Sequence, residues 1–282
     1  MDQRSPVIKL AVFGSPVSQS RSPAIHSMFA RQCGIEVDYR AIEAGAESFA
    51  GQVRQLAADG GRGCNITAPF KRQAWELAQR ASPAAARARA ANTLRFDADD
   101  DWFADNTDGR GLLRDLSVRC GCAPNHSRVV IIGAGGATAG ILGDLLDLNP
   151  ESVTLANRTV QRATQLAEAF GSPVHAVSMT ELTRSTPCDL LINATSLGHT
   201  GEAPELPRSL FHRETLCYDL NYGRAAEPLR QWCSKNGIRY GDGLGMLVEQ
   251  AALSFELWTG ETPDTEPVLR ALRKELEAAP PG

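Results

Sequence analysis

Arg128-Val129-Val130-Ile131-Ile132-Gly133-Ala134-Gly135-Gly136-Ala137 constrains this chain more than any other stretch. A run of β-branched apolar residues leads into closely spaced glycines, and an apolar segment of helical character, Thr138 to Asp147, follows. That order is what a nucleotide-binding crossover requires. The strand carries the chain into a tight turn, and the glycines let the backbone approach a pyrophosphate. The first free N–H groups of the next helix then face the negative charge. The run departs from Gly-x-Gly-x-x-Gly: Gly133 and Gly135 fit, the third position is Thr138, and Gly136 and Gly140 lie off the pattern. Taken alone it also admits an ordinary strand-to-helix turn.

The next apolar run, Ser152 to Thr159, reads as the second strand of the same unit. An NAD site places a carboxylate at the end of that strand, where it accepts from the ribose 2′-OH. Here Asn157 takes that place, Arg158 follows, and Arg162 comes one turn later. A carboxylate repels a 2′-phosphate, whereas a guanidinium binds one in a charge-assisted fork. Thr159 is placed to cap the next helix and to donate to the phosphate. The pattern predicts NADP rather than NAD; the competing reading is that Arg158 and Arg162 are solvated surface charges.

The chain has 282 residues, 43% apolar and 22% charged, enough for two domains with cores of their own. A formal net charge of −4 argues against a nucleic-acid partner. There is no polybasic run and no apolar stretch of membrane-spanning length, and Met1 to Pro6 does not read as a signal peptide. The seven cysteines include no Cys-x-x-Cys pair, which fits reduced thiols in the cytoplasm. The five histidines lack ligand spacing, so no metal is expected. No Gly-x-Ser-x-Gly or Cys–His signature in the first half supports covalent catalysis.

Upstream, apolar strands alternate with helical segments. Lys9–Phe13, Val37–Ile42 and Gly63–Thr67 read as strands. Ser22-Pro23 opens a helix to about Arg31 with Ser22 as N-cap, Ser48–Asp59 is amphipathic, and Pro69 starts another helix. Thr93–Phe96 and Trp102–Ala104 flank an acidic turn, Asp97–Asp101, as a hairpin. Asp108 caps a helix that begins at Gly109. Asp189–Ala194 and Leu216–Leu220 are further buried strands. Leu244–Trp258 and Glu266–Glu277 are helices, and the tail Ala278–Gly282 is frayed. Alternation of this kind implies crossovers and a mostly parallel sheet.

Several short motifs carry a resemblance along almost the whole length. They are Ser20-Arg21-Ser22-Pro23, Asn65-Ile66-Thr67-Ala68-Pro69-Phe70-Lys71, Ala91-Asn92-Thr93 and Asp105-Asn106-Thr107-Asp108-Gly109. Gly133–Ala137, Asn157-Arg158-Thr159, Asn193-Ala194-Thr195-Ser196 and Gly243–Gln250 continue them. In order and spacing the chain resembles the shikimate dehydrogenase family. The resemblance implies an α/β fold: an N-terminal substrate domain with a mostly parallel sheet, residues 1–108 with the returning C-terminal helices of 244–282, and a Rossmann-like NADP-binding domain, residues 109–243. It implies NADPH-linked reduction of 3-dehydroshikimate to shikimate in a cleft between the two, by a protein acting as a monomer or homodimer.

By the same match, Lys71 and Asp108 form the acid–base pair, and which of them is the formal acid stays open. Ser20 and Ser22 bind the substrate carboxylate, with Thr67 and Tyr222 nearby, and Asn92, Lys71, Asp108 and Gln250 hold the ring hydroxyls. Gly133, Ala134, Gly135, Gly136, Ala137, Asn157, Arg158, Thr159, Arg162, Thr195 and Gly243 hold the cofactor. Each has a plainer reading: Lys71 a surface lysine, Ser22 a cap, Ser20 a turn hydroxyl, Gln250 a helix surface residue. A lysine in a helix's first turn opposes the helix dipole, which fits retention for function. The chain departs from the family at Ala68, at His199 and from Tyr222 to Pro228. A broader quinate/shikimate dehydrogenase, a non-catalytic ligand sensor and another two-domain reductase are the alternatives.

Overall fold

The computed structural model describes residues 7–97 and 101–278. The expectations for Met1–Pro6, for the middle of the acidic turn and for the tail beyond Ala278 lie outside these residues. The chain divides into two compact α/β units: the chain up to Gly111 with the chain from Val248 onward, and Leu112–Leu247.

In the first unit the strands are β1 (Ile8–Gly14), β2 (Val37–Glu43), β3 (Gly63–Ile66), β4 (Arg80–Ala81), β5 (Thr93–Phe96) and β6 (Trp102–Asp105), in spatial order β2-β1-β3-β5-β6-β4. β1 runs parallel to both β2 and β3, and β4 runs parallel to β6; the β5 hairpin contributes the two antiparallel pairings. β1 and β3 are nearly all buried, and their carboxyl ends lie side by side, Phe13 opposite Ile66. Helices α1 (Ser22–Cys33), α2 (Phe49–Ala58), α3 (Lys71–Leu77) and α4 (Pro83–Ala88) connect them. Phe13, Phe49 and Phe70 pack edge-to-face and stacked, at 6.0 and 4.7 Å, and anchor α2 and α3 to the sheet.

The second unit is a six-stranded, wholly parallel sheet. Its strands are β7 (Arg128–Ile132), β8 (Ser152–Asn157), β9 (Val174–Ser178), β10 (Cys188–Asn193), β11 (Phe211–Asp219) and β12 (Arg239–Asp242), in spatial order β12-β11-β10-β7-β8-β9. A sheet with helices on both faces needs near-continuous apolar strands, which is what Val129–Ile132 and Leu190–Ile192 supply. Helices α6 (Gly136–Leu146), α7 (Val160–Phe170) and α8 (Glu227–Asn236) cross over between strands. Strand order reverses between β7 and β10, the place where ligands bind in doubly wound sheets. Helices α5 (Asp108–Val118) and α9 (Leu244–Thr259) each contain a point of division, and α10 (Thr265–Ala278) closes the described chain.

Three helix starts differ from the sequence expectation. Ser22 is helical and does not cap α1; Arg21 holds the cap position with helical φ and ψ, and the Ser22 N–H is taken by the Ser20 hydroxyl at 3.3 Å. Asp108 is the first residue of α5 rather than its cap, and its own N–H goes to Asn106 Oδ1 at 3.2 Å. Pro69 precedes α3 by a turn, because Phe70 N–H closes back on the Thr67 carbonyl and the helix begins at Lys71.

Candidate functional site

In the first unit, the end of β3 delivers the chain through Thr67–Phe70 to Lys71. The Lys71 carbonyl accepts from Ala91 N–H at 2.8 Å, which fixes the start of α3 beside Asn92. Lys71 Nζ donates to Asp108 Oδ2 at 2.5 Å, with side chains 20% and 9% exposed. A cation at a helix start is offset here by that carboxylate, itself well placed in the first turn of α5. Asn92 Nδ2 bonds Asp108 Oδ1 at 2.8 Å, Thr107 Oγ1 at 2.9 Å and Gln250 Oε1 at 3.2 Å. Gln250 reaches this net because α5 and α9 touch at Gly111: a Cβ there would lie 2.8 Å from the Gln250 backbone nitrogen.

Behind the pair runs a buried polar chain that the sequence reading missed. Asn65 Nδ2 donates to the Asn92 carbonyl, Thr93 Oγ1 and Ser254 Oγ at 3.0 to 3.1 Å. Asn65 Oδ1 accepts from the Tyr39 hydroxyl at 2.7 Å and from His26 Nε2 at 3.2 Å. The available signals were a polar Asn65 inside a short strand and the place of Asn65 and Thr93 in the motifs given above. Thr67 stands at the carboxyl end of β3, its methyl packed so closely on Gly14 that a Cβ there would meet it at 2.3 Å. The structure thus gathers Lys71, Asn92, Asp108 and Gln250 directly, while Ser20 and Ser22 bond to each other at the start of α1. Tyr222 belongs to the second unit.

His26 stacks on Tyr39, with ring centroids 4.4 Å apart, and is fully buried. Burial pushes it down to about 3, against the opposing hydrogen bond to Asn65. Nε2 faces an amide oxygen and so carries the proton; Nδ1 is buried without a partner among the described residues. The unfolded chain takes up a proton near 6.5 and the folded one does not. Stability from this group is therefore complete above about pH 6.5 and is lost as pH falls toward 3, by about 1.4 kcal/mol per pH unit. Urea midpoints from pH 4 to 7 should show a slope about one proton smaller in His26→Phe than in the unaltered protein. Equal slopes would rule His26 out as the acid-sensitive group.

In the second unit a cavity of about 850 Å³ opens at the switch point. Gly133, Ala134, Gly135, Asn157, Arg158, Thr159, Arg162 and Thr195 line it, as do Met179, Thr180 and Thr183 beyond β9 and a Pro204–Pro207 loop, for which no motif gave a signal. Gly133 has φ +110°, and a Cβ on it would sit 2.9 Å from the Ala194 carbonyl oxygen, so only glycine brings β7 and β10 together there. Beyond the adjoining residues and the backbone of α6, no atom of the described residues lies within 4 Å of a Cβ built on Gly135 or Gly136, which leaves that turn open to a ligand. Gly136 and Ala137 head α6, and Gly243 sits against the Leu220 carbonyl; none of the three is part of the cavity lining.

Thr159 occupies the cap position of α7, but its hydroxyl makes no capping bond, contrary to the sequence expectation. Asn157 Nδ2 donates to its carbonyl at 2.8 Å and shapes the turn instead. Arg158 and Arg162 are exposed, and their guanidinium groups hydrogen-bond or ion-pair with no group among the described residues. Two unpaired guanidiniums beside a helix N-terminus without a side-chain cap have the chemistry to take an anion such as a nucleotide 2′-phosphate. His199 is exposed on a short 3₁₀ turn, Leu197–Thr200, whose Gly198 packs on the Ala225 backbone.

A doubly wound parallel sheet with a glycine turn and a cavity at its switch point defines the Rossmann-like class of α/β proteins. Residues 12–94 match the family model for the shikimate dehydrogenase substrate binding domain, residues 120–210 that of shikimate / quinate 5-dehydrogenase, and residues 243–273 that of the shikimate 5'-dehydrogenase C-terminal domain. The shikimate dehydrogenase (NADP(+)) of Marinobacter nauticus is 45% identical over 269 residues, 94% of this chain and 98% of its own. That of Alkalilimnicola ehrlichii is 47% identical over 270 residues, 95% and 99%. The crystal structure of shikimate 5-dehydrogenase from Thermus thermophilus, in complex with NADP(H) and shikimate, superposes with a TM-score of 0.82 at 33% identity, covering 95% of this chain and 99% of that one. The chain belongs to the shikimate dehydrogenase family.

Proposed function

We propose that this protein is an NADP-dependent oxidoreductase that interconverts 3-dehydroshikimate and shikimate, a step toward the aromatic amino acids. The observation that carries the reading is the 2.5 Å contact of Lys71 Nζ with Asp108 Oδ2 inside the Asn92–Gln250 net. The names of the relatives, shikimate dehydrogenase (NADP(+)), support the substrate and cofactor.

NADP(H), when bound by Gly133–Gly135, Asn157, Arg158, Thr159, Arg162 and Thr195, supplies or takes up the hydride. Reduction of a ketone leaves negative charge on its oxygen, and Lys71 is the donor aimed at that charge. Asp108 Oδ2 holds Lys71, while Asn92 holds Oδ1, so the carboxylate cannot turn away. The pair exchanges the proton with the substrate oxygen and then with solvent. Asn92 and Gln250 offer polar groups to the ring hydroxyls. Ser20, Ser22, Thr67 and Tyr222 receive the carboxylate with neutral hydroxyls. Gly243 acts on the cofactor through the turn it packs against.

A metal has no role in this scheme. The seven cysteines are all free thiols, which supports a reducing, cytoplasmic setting, with the protein acting as a monomer or homodimer and without nucleic acid. No helix among the described residues is long and apolar enough to cross a membrane.

An absorbance assay at the nicotinamide band tests the reading, with shikimate and quinate each offered NADP and NAD. Reduction should be fastest by at least about tenfold with shikimate and NADP. Equal rates with quinate and with NAD would favour the broader quinate/shikimate dehydrogenase. Absence of reduction in all four arms would leave a ligand-binding relative.

A further inference from the structure

The carboxyl end of β11 holds a charged group that the scheme above does not use. Asp219 is fully buried. Its Oδ1 accepts three hydrogen bonds: from Asn193 Nδ2 at 2.9 Å, Asn221 N–H at 3.0 Å and Asn221 Nδ2 at 2.8 Å. Both asparagines then hold Thr195, on the cavity wall. Asn193 Oδ1 accepts from the Thr195 N–H at 3.1 Å and its hydroxyl at 2.8 Å, and Asn221 Nδ2 donates to the Thr195 carbonyl at 3.0 Å. Every polar group of Thr195 is thereby fixed by residues that converge on one carboxylate oxygen.

The same knot reaches the adjoining strands. Ala194 N–H bonds the Ile132 carbonyl and Leu220 N–H the Asn193 carbonyl, while Gly243 N–H bonds the Asn221 carbonyl. A Cβ on Gly243 would lie 2.3 Å from the Leu220 oxygen, so the β12–α9 junction presses on this turn. Asp219 Oδ2 has no partner among the described residues, so the bonding runs through Oδ1 alone. A buried charge retained with one oxygen unsatisfied is costly for stability, and the bonds it does make all serve one loop.

We infer that Asp219 is a positioning residue for cofactor binding, acting through Asn193 and Asn221 to hold Thr195 against the glycine turn. The inference rests on the proposal that this cavity takes NADP(H). Removing Oδ1 takes the shared acceptor from Asn193 Nδ2 and from the Asn221 N–H and Nδ2, so the two side chains that hold Thr195 lose their common anchor. The chemistry at Lys71 and Asp108 is untouched, so the loss falls on cofactor affinity rather than on turnover at saturation.

The test is titration of the intact protein with NADPH, followed by nicotinamide fluorescence, together with kcat at saturating NADP and shikimate. Asp219→Ala should raise the NADPH Kd about tenfold or more, with kcat within about threefold. Asp219→Asn keeps an oxygen for the same donors and should restore Kd to within about threefold, which a requirement for the charge itself would not allow. Should Asp219→Ala fail to fold, Asn221→Ala, which removes the side chain that links Asp219 Oδ1 to the Thr195 carbonyl, carries the test and should raise Kd at least about threefold. Unchanged Kd in Asn221→Ala, or in a folded Asp219→Ala, overturns the inference while leaving the proposed function standing. An unaltered protein that does not bind NADPH overturns both.

Discussion

Lys71→Ala should lower kcat by about a hundredfold or more while the NADPH Kd stays near that of the unaltered protein. Lys71 is in the first unit and touches Asp108, not the cavity at the switch point of the second. Its loss removes the donor to the developing alkoxide and leaves cofactor contacts in place. An interaction made only in the transition state shows in kcat and kcat/KM together. The substitution also leaves Asp108 buried without its cation, and a broken buried pair costs roughly 3–5 kcal/mol. A thermal melt must therefore accompany the kinetics, and Asp108→Asn supplies the complementary variant with the lysine retained. Turnover within about threefold of the unaltered protein in a folded Lys71→Ala would remove the lysine from the proton-transfer role.

Arg158→Ala should weaken NADPH relative to NADH by roughly ten- to a hundredfold, the range expected for losing a charge-assisted fork to a phosphate. NADH lacks the 2′-phosphate and should bind almost unchanged. Arg162, one turn along α7, faces the same cavity and retains part of the grip, so Arg158→Ala with Arg162→Ala should extend the shift. The comparison of kcat/KM for the two cofactors checks it. An unchanged ratio in the double variant would place 2′-phosphate recognition on other residues.

Much of the second unit was legible because its signals are local. Val129–Ile132 is apolar on both faces, as a central parallel strand must be, and Gly133 marks the turn that only glycine permits. Arg158 and Arg162 follow at fixed distances along the chain. Helix starts were less legible. Ser22-Pro23 and Ser82-Pro83 carry the same signature, yet only Ser82 caps, accepting from Ala85 N–H at 3.1 Å. At Ser22 the preceding Ser20 hydroxyl takes the N–H first, and Arg21 already has helical dihedrals. β4 is two residues long and pairs only with β6, far along the chain, so no periodicity could announce it.

The site divides in the same way. Lys71, Asn92 and Asp108 stand in short recognisable motifs. The chain that orients them, His26, Tyr39, Asn65, Thr93 and Ser254, is assembled from α1, β2, β3, β5 and α9. Isolated in sequence, His26, Tyr39 and Ser254 read as ordinary polar positions, and Asn65 and Thr93 stand inside motifs that do not show what they bond. Their meaning comes from burial, which obliges every donor and acceptor to find a partner. Asp219 is similar: an acidic residue at the end of an apolar strand gives no hint of the three donors that meet at Oδ1.

The most direct measurement is NADPH absorbance on mixing the purified protein with 3-dehydroshikimate, with shikimate quantified in the same sample. NADPH should disappear one for one with shikimate formed, at a rate that Lys71→Ala reduces about a hundredfold. Binding of both compounds without consumption of either would contradict catalysis by the Lys71–Asp108 pair.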